Sequence, residues 1–220
     1  MAEHMSKESI EQAWRDVVTT ARRTAAEGLV VGTSGNVSAR VGDLVVVTPS
    51  GVPYERLSTR EPVVVDLAGR QVAGDLKPTS ELPLHLEVYR TSKAGAVVHT
   101  HAVHATAVST LVDELPAVHY MTAELGGPVR VAPYALYGTP ELARNMGRAL
   151  DGRSACLLRN HGTIAHADSL DRAYDRTAQL EWMCQVWLAA SSVPGLRPSL
   201  LSSAELDEVA TQLRGYGQRS

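Results

Sequence analysis

Phenylalanine is absent from the sequence, and aromatic residues make up only 5% of its 220 positions. Cysteine is scarce as well: Cys156 and Cys184 both lie in apolar segments, and neither belongs to a C-x-x-C pair. This usage argues against a disulfide framework and favours two buried free thiols in a reducing cytoplasm. The missing phenylalanine has no functional implication that we recognise.

Long runs of one kind of residue are also missing. No run of Lys or Arg is longer than a pair and the formal net charge is −3, so nothing indicates a nucleic-acid partner or an anionic membrane surface. No apolar run approaches the roughly 20 residues of a membrane span, and the polar N-terminus argues against a signal peptide. We therefore expect a soluble, cytoplasmic protein without membrane or nucleic-acid partners.

The residues that are present predict one α/β domain. A hydrophobic content of 44% is sufficient for one full core, so we expect a single domain over residues 1–220. Periodicity predicts helices near residues 10–25, 82–89, 104–111, 140–150, 169–190 and 202–213, and strands or extended runs at 37–41, 44–48, 96–101, 115–120, 129–132 and 155–158. Because hairpin signals such as Gly42-Asp43 separate several runs, we expect a mixed, largely antiparallel central sheet covered by helices on both sides.

A histidine pair ends the most apolar of the predicted strands. His99 and His101 follow Ala96-Val97-Val98 one residue apart, and strand side chains alternate between faces, so both rings point to the same side. Imidazole is the commonest protein ligand for zinc and similar ions, and a catalytic site typically uses three protein ligands. An isolated pair of this kind is equally compatible with histidines that merely hydrogen-bond.

A third histidine shifts the balance towards a metal site. His161 stands between Asn160 and Gly162, after another apolar run. Such a sequence predicts a tight turn at a strand end, where side chains face a cleft more often than a core. We therefore predict His161 as the third ligand.

Three loops rich in glycine and hydroxyl side chains precede these histidines. They are residues 32–36, 48–51 and 77–81, and each can present N–H and O–H donors to a phosphate, although any one of them alone is equally an ordinary turn. The third precedes a predicted helix, which Thr79 or Ser80 is expected to cap. Glu81 in that first turn either favours the helix dipole or places a carboxylate beside the metal for proton transfer.

Taken together, these motifs resemble a known family. Gly35-Asn36-Val37-Ser38, Thr48-Pro49-Ser50-Gly51, Lys77-Pro78-Thr79-Ser80-Glu81, His99-Thr100-His101 and Asn160-His161-Gly162, in this order, are similar to the class II aldolase/adducin family. The resemblance implies a zinc-dependent, cytoplasmic homotetramer acting on a sugar phosphate, with His99, His101 and His161 on the metal and Glu81 as acid/base. It implies phosphate binding by Thr33, Gly35, Asn36, Ser50, Gly51, Thr79 and Ser80. Mn²⁺ and Co²⁺ stay open beside Zn²⁺, because three-histidine sites bind several divalent ions.

Two further places resemble one branch of the family. The segment Pro116-Ala117-Val118-His119-Tyr120-Met121 and Tyr216 are similar to the L-fuculose-1-phosphate aldolase branch, in which a tyrosine at each place serves an active site formed across a subunit boundary. The resemblance thus implies catalytic roles for Tyr120 and Tyr216, a tail (215–220) over the active site, and reversible cleavage to dihydroxyacetone phosphate and L-lactaldehyde through a metal-stabilised enediolate.

Alternatives to this reaction use the same predicted metal site. An L-ribulose-5-phosphate 4-epimerase and a methylthioribulose-1-phosphate dehydratase both fall within the family, although the epimerases carry an aspartate in the region where this sequence has Tyr120. A non-enzymatic adducin-like module need not keep the three histidines and Glu81, which are all present here. A cupin-like oxygenase also uses His-x-His, but the helices and phosphate loops disfavour it.

Overall fold

A computed structural model of the chain describes residues 7–213 and Gly215. Its helices are α1 (Lys7–Ala26), α2 (Leu82–Thr91), α3 (Val103–Leu111), α4 (Pro140–Ala149), α5 (Leu170–Ser191) and α6 (Ser203–Leu213). Its strands are β1 (Asn36–Val41), β2 (Leu44–Val47), β3 (Val64–Asp66), β4 (Gln71–Ala73), β5 (Ala96–Thr100), β6 (Glu114–Leu115), β7 (Val129–Ala132), β8 (Ala155–Leu158) and β9 (Gly162–Ala167). The helices predicted from periodicity are confirmed to within a few residues at their ends.

The strands form a single mixed sheet. Their order is β4-β3-β2-β1-β5-β9-β8-β7-β6, and among the described strands only β7 and β8 run parallel. The β1–β2 hairpin turns at Gly42-Asp43, and β5 lies between β1 and β9, antiparallel to both. The expected mixed, largely antiparallel sheet in an α/β fold is therefore confirmed.

Helices cover both faces of the sheet, and the alternation of β5 shows which face carries the histidine pair. Val97 packs in an apolar cluster with residues of α2 and α4, whereas Val98 packs on the opposite face in a cluster with residues of α1. Residues of α3 and α5 cover the remainder of that opposite face. His99 has the same parity as Val97, so its side chain projects towards the α2 face.

One local prediction is wrong, and a second holds only in part. Neither Thr79 nor Ser80 caps α2: Glu81 occupies the N-cap position, while the Thr79 hydroxyl accepts a hydrogen bond from the Glu81 N–H at 3.2 Å. The extended run predicted over 115–120 is a strand only at Glu114–Leu115, and a 3-10 turn begins at Tyr120. In both places short-range turn bonds replace the regular pattern that the sequence suggested.

Other termini follow the expected chemistry. The Thr139 hydroxyl accepts from the Leu142 N–H at the start of α4. Ser202 and Glu205 form the predicted capping box at α6, with the Glu205 carboxylate 2.7 Å from the Ser202 N and the Ser202 hydroxyl 3.3 Å from the Glu205 N.

The two cysteines are buried free thiols, as predicted. Cys156 lies in β8 and Cys184 in α5, on opposite faces of the sheet. Burial raises the pKa of both thiols well above the usual range, so they stay protonated. Within the described part of the chain, no helix has the length and apolar character needed to cross a membrane.

Candidate metal centre

Four side chains able to bind a metal converge where β5 ends. His99 lies in β5 and His101 directly follows it, His161 lies in the turn between β8 and β9, and Glu81 precedes α2. The Nε2 atoms of His99 and His101 are 3.0 Å apart. Glu81 Oε2 is 2.9 Å from His99 Nε2, and Oε1 is 3.2 Å from His161 Nε2. One ligand atom from each of the four residues lies within 4.8 Å of the others.

A backbone carbonyl fixes the tautomer of His99. Its Nδ1 lies 2.6 Å from the carbonyl oxygen of Thr163, which can only accept a hydrogen bond. Nδ1 therefore carries a proton, and Nε2 is the ring nitrogen that faces the other three side chains. This is the arrangement that metal-binding histidines commonly have, because the second hydrogen bond orients the ring and increases its basicity.

A tight turn brings His161 to the same place. Asn160 has φ +55°, the one positive φ among the described non-glycine residues, and asparagine tolerates this left-handed conformation better than most residues. The Asn160 N–H donates to the Ser109 hydroxyl, and the His161 N–H to the Leu158 carbonyl. Gly162 then lets β9 approach β5 closely, because a Cβ at this position would stand 2.1 Å from the Thr100 carbonyl oxygen.

Replacing Gly162 with alanine is expected to lower the free energy of unfolding by about 2–3 kcal/mol, because the new methyl group meets rigid backbone. It should also weaken metal binding, since β9 must move away from β5. Gly147→Ala is the matched control: its Cβ would meet the flexible Glu87 carboxylate at 3.0 Å, and alanine in a helix stabilises by up to about 1 kcal/mol. Denaturant unfolding of both variants checks this; equal stabilities would contradict it.

The charge and hydrogen bonding of Glu81 suit a cation. Burial by itself would raise the pKa of this carboxyl, but the neighbouring His99 and His161 outweigh burial and lower the pKa below its usual range, so Glu81 is ionised. Burial, reinforced by the charges of His99 and His161, lowers the pKa of His101 to about 3 and keeps that ring neutral. Glu81 Oε1 is buried and, within residues 7–213, has no aligned hydrogen-bond donor.

These features together fit a divalent metal ion. A carboxylate and three imidazoles are ligands that zinc and similar ions accept. Glu81 and the three imidazoles lie close enough together, within 4.8 Å of one another, to be considered as ligands of one such ion.

The three predicted phosphate loops are joined to one another beside this cluster. The Ser50 N–H donates to the Lys77 carbonyl, and the Thr79 N–H to the Thr48 carbonyl, at 3.0 and 3.1 Å. The Thr48 hydroxyl in turn accepts from the Val37 N–H at 3.2 Å. Of the predicted phosphate-binding residues, Thr33, Ser50, Gly51 and Ser80 are exposed, whereas Gly35, Asn36 and Thr79 are buried.

Tyr120, one of the two predicted catalytic tyrosines, is not part of the cluster in this chain. The Tyr120 side chain is half exposed, and its ring packs against His119, with ring centroids 4.4 Å apart. His119 in turn contacts Trp182. Tyr216 and most of the predicted tail lie outside the described residues.

Sequence reasoning missed the walls of the cavity beside the cluster. This cavity, of about 350 Å³, is lined by Glu81, His101, Tyr134, Ala135, Tyr137, Asn160 and His161. Tyr134 and Tyr137 are both exposed and lie in the loop between β7 and α4. The only signal in the sequence for this wall was a pair of tyrosines three positions apart, because no recognisable motif contains them.

Comparison with known proteins agrees with this arrangement. The sequence matches the family described as Class II Aldolase and Adducin N-terminal domain over residues 15–188. The L-fuculose phosphate aldolase of Escherichia coli (strain K12) is 40% identical over 207 residues, which cover 93% of this chain and 95% of that protein. The 5-deoxy-D-ribulose 1-phosphate aldolase of Bacillus thuringiensis serovar kurstaki is 35% identical over 213 residues, covering 96% and 99% of the two chains.

The fold is shared with solved structures as well. A structure named L-fuculose 1-phosphate aldolase superposes with a TM-score of 0.89 at 34% sequence identity, covering 97% of this chain and 100% of that chain. The chain therefore belongs to the class II aldolase/adducin family, as an aldolase-type lyase whose Glu81 and three histidines form a cluster that could hold a metal ion.

Proposed function

We propose that this protein is a divalent-metal-dependent aldolase that cleaves a ketose 1-phosphate reversibly to dihydroxyacetone phosphate and an aldehyde. The observation that carries the proposal is the convergence of Glu81 with His99, His101 and His161. L-Fuculose 1-phosphate is the first substrate we propose, with L-lactaldehyde as the aldehyde, because the E. coli relative named for it is 40% identical.

The same residues supply the chemistry of retro-aldol cleavage. A divalent ion, with zinc as our first choice, would supply Lewis-acid stabilisation of the negative charge that develops on the ketone oxygen. When the bond between C3 and C4 breaks, its electron pair becomes an enediolate on the dihydroxyacetone phosphate half. We assign to Glu81 the transfer of the proton that this carbon then takes up.

Binding of the phosphate aligns the reacting carbon. The exposed donors of the three joined loops, among them Ser50 and Ser80, would hold the phosphate beside the cluster. The cavity of about 350 Å³ lies within the range of about 300–1,000 Å³ typical of small-ligand sites. Tyr134 and Tyr137 on its wall would then meet the aldehyde half.

We propose further that the enzyme is a cytoplasmic homotetramer in which Tyr120 serves the active site of a neighbouring subunit. Its exposed ring, away from the cavity of its own chain, supports this arrangement. There it would exchange a proton with the aldehyde-side oxygen. Tyr216 is assigned the same kind of role from the resemblance alone.

A second candidate substrate is 5-deoxy-D-ribulose 1-phosphate. The observation in its favour is the 35% identity, over 96% of this chain, to the Bacillus aldolase named for that compound. Cleavage between C3 and C4 would give the same dihydroxyacetone phosphate, with acetaldehyde in place of L-lactaldehyde. The two substrates therefore differ only in the half that meets the tyrosine wall.

The first experiment is release of dihydroxyacetone phosphate from each of these two ketose phosphates. The protein is assayed as purified, after removal of metal with a chelator, and after reloading with Zn²⁺, Mn²⁺ or Co²⁺. We expect release that the chelator abolishes and the metal restores, and the ratio of kcat/KM then identifies the preferred substrate. Absence of release from metal-loaded protein would contradict an aldolase, and inversion at C4 or loss of water would then be measured instead.

A further inference from the structure

Four buried polar side chains extend from Glu81 into the core between β1 and α2. Asn36, His85, Ser38 and Tyr89 are each at most 3% exposed. Asn36 and Ser38 share a face of β1 because strand side chains alternate. His85 and Tyr89 follow Glu81 at four-residue intervals, which place side chains on one face of a helix.

Consecutive members of this row are within hydrogen-bond distance. Asn36 Nδ2 lies 3.1 Å from Glu81 Oε2, and Asn36 Oδ1 lies 2.5 Å from His85 Nε2. His85 Nδ1 lies 2.7 Å from the Ser38 hydroxyl oxygen, which is 2.7 Å from the Tyr89 hydroxyl oxygen. Every polar atom of the His85 ring therefore has a protein partner.

The chemistry of the groups allows one direction of donation. Asn36 Nδ2 donates to Glu81 Oε2, which leaves the Asn36 oxygen to accept from His85. His85 must then donate from Nε2. Burial lowers the pKa of His85 to about 3, so the ring is neutral, and its Nδ1 accepts from the Ser38 hydroxyl at 2.7 Å. The Ser38 oxygen in turn accepts from Tyr89.

This row also connects Glu81 to the strand that carries the histidine pair. Asn36 is the register partner of His99 in the β1–β5 pairing. The carboxylate is thus held relative to the same backbone that holds His99, although Glu81 itself lies at the start of a helix. An apolar side chain at position 85 would fill the same space without needing partners, so packing alone does not account for the histidine.

We propose that His85 is a positioning residue for Glu81. By fixing the carboxamide of Asn36, it holds the carboxylate in one orientation, with Oε2 engaged and Oε1 free to exchange a proton with the substrate. This inference rests on the proposed function, because it concerns the proton-transfer role of Glu81.

Two substitutions at position 85 separate positioning from packing. In His85→Gln the side-chain N–H can occupy the place of imidazole Nε2 and still donate to Asn36, whereas His85→Phe keeps the ring volume and loses the donor. We expect His85→Phe to lower kcat by about 10–100-fold, the usual effect of removing a group that orients a metal-site residue. His85→Gln should stay within about threefold of the unsubstituted protein, and KM should change little because the phosphate loops are intact.

Stability and metal content are measured for both variants, and kcat is taken per metal-loaded protein well below the unfolding midpoint. Equal kcat in the two variants, or a rise in KM without a fall in kcat, would overturn the positioning role. A structural role alone would change the unfolding midpoint and leave kcat per loaded protein unchanged.

Hydrogen exchange between the substrate and solvent measures proton transfer separately from carbon–carbon cleavage. With dihydroxyacetone phosphate alone in D₂O, exchange of its carbon-bound proton requires proton transfer but no carbon–carbon cleavage. His85→Phe should slow this exchange by the same factor as cleavage. Slowed cleavage with normal exchange would mean that His85 acts elsewhere.

A spectroscopic measurement tests the hydrogen bonds without any substrate. In protein labelled with ¹⁵N-histidine, His85 should give the neutral Nε2–H tautomer between pH 6 and 8, with a proton that exchanges slowly because the ring is buried. An Nδ1–H tautomer in protein with normal turnover would overturn this hydrogen-bond network and the positioning role that depends on it, and would leave the proposed function standing. Absence of turnover with every ketose phosphate would overturn the proposed function, and with it the positioning role.

Discussion

Replacing His99 with alanine is expected to abolish metal binding and to lower kcat/KM by about a thousandfold or more. The side chain is fully buried, and its Nε2 lies 2.9 Å from Glu81 Oε2 and 3.0 Å from His101 Nε2. Lewis-acid stabilisation contributes several kcal/mol, and each 1.36 kcal/mol corresponds to a factor of ten in rate. Metal content by elemental analysis and turnover, measured on the same preparation, check the prediction.

His166→Gln is the matched control for this substitution. His166 lies on β9, the partner strand of β5, outside the metal cluster, and its Nε2 lies 3.3 Å from the Arg153 carbonyl oxygen. The His166→Gln variant should keep the metal and its turnover. His161→Ala should lose both, as is expected of His99→Ala. A His99→Ala protein that stays folded by circular dichroism and keeps full activity would remove His99 from the site.

Replacing Glu81 with glutamine is expected to keep the metal and to lower kcat by about 10²–10⁴-fold, the usual contribution of general acid–base catalysis. Glutamine keeps the shape of the side chain and an oxygen that can accept from Asn36 Nδ2, but it cannot carry a proton between the substrate and solvent. Exchange of the carbon-bound proton of dihydroxyacetone phosphate with D₂O should fall by the same factor. Metal content and exchange rate are the two measurements.

Glu87→Gln makes the same change of charge and size on the same helix, away from the cluster, and should leave turnover unchanged. If Glu81→Gln loses the metal together with its activity, Glu81 is a required ligand and its rate effect does not measure proton transfer. If Glu81→Gln keeps full exchange, another group carries the proton.

The sequence predicted the parts of the site that depend on short-range geometry. The strand alternation of period two placed His99 and His101 on one face, and the Asn-His-Gly triplet indicated the turn that holds His161. Both inferences need only a few neighbouring residues, because backbone conformation over such a span follows from steric rules. The helices were predictable for the same reason.

Long-range pairings were not predictable in this way. The carbonyl that orients His99 belongs to Thr163, 64 positions away, and the Asn36 carboxamide that faces His85 is 49 positions from it. Helical spacing predicted only a helix near residues 82–89, without a partner for His85. Periodicity contains no information about which strand a buried polar group will face, so the row behind Glu81 became visible only with the sheet order.

The N-cap of α2 was predicted wrongly for a different reason. Hydroxyl side chains at Thr79 and Ser80 are good capping residues, and the sequence alone favoured one of them. In the fold, the Thr79 N–H donates to the Thr48 carbonyl of the neighbouring loop, and Glu81 occupies the N-cap position. Tertiary contacts of the phosphate loops thus decided where the helix begins, and they did so in a way that directs the Glu81 carboxylate towards the histidines.

The two cysteines provide one chemical probe on each face of the sheet. Cys156 is sealed between the sheet and the α2/α4 layer, and Cys184 lies within the layer formed by α3 and α5. Neither thiol can react with an alkylating reagent until its own layer separates from the sheet. Because the sequence has no other cysteine, the alkylation rate at each position measures how often its own layer opens transiently, and no engineered label is needed.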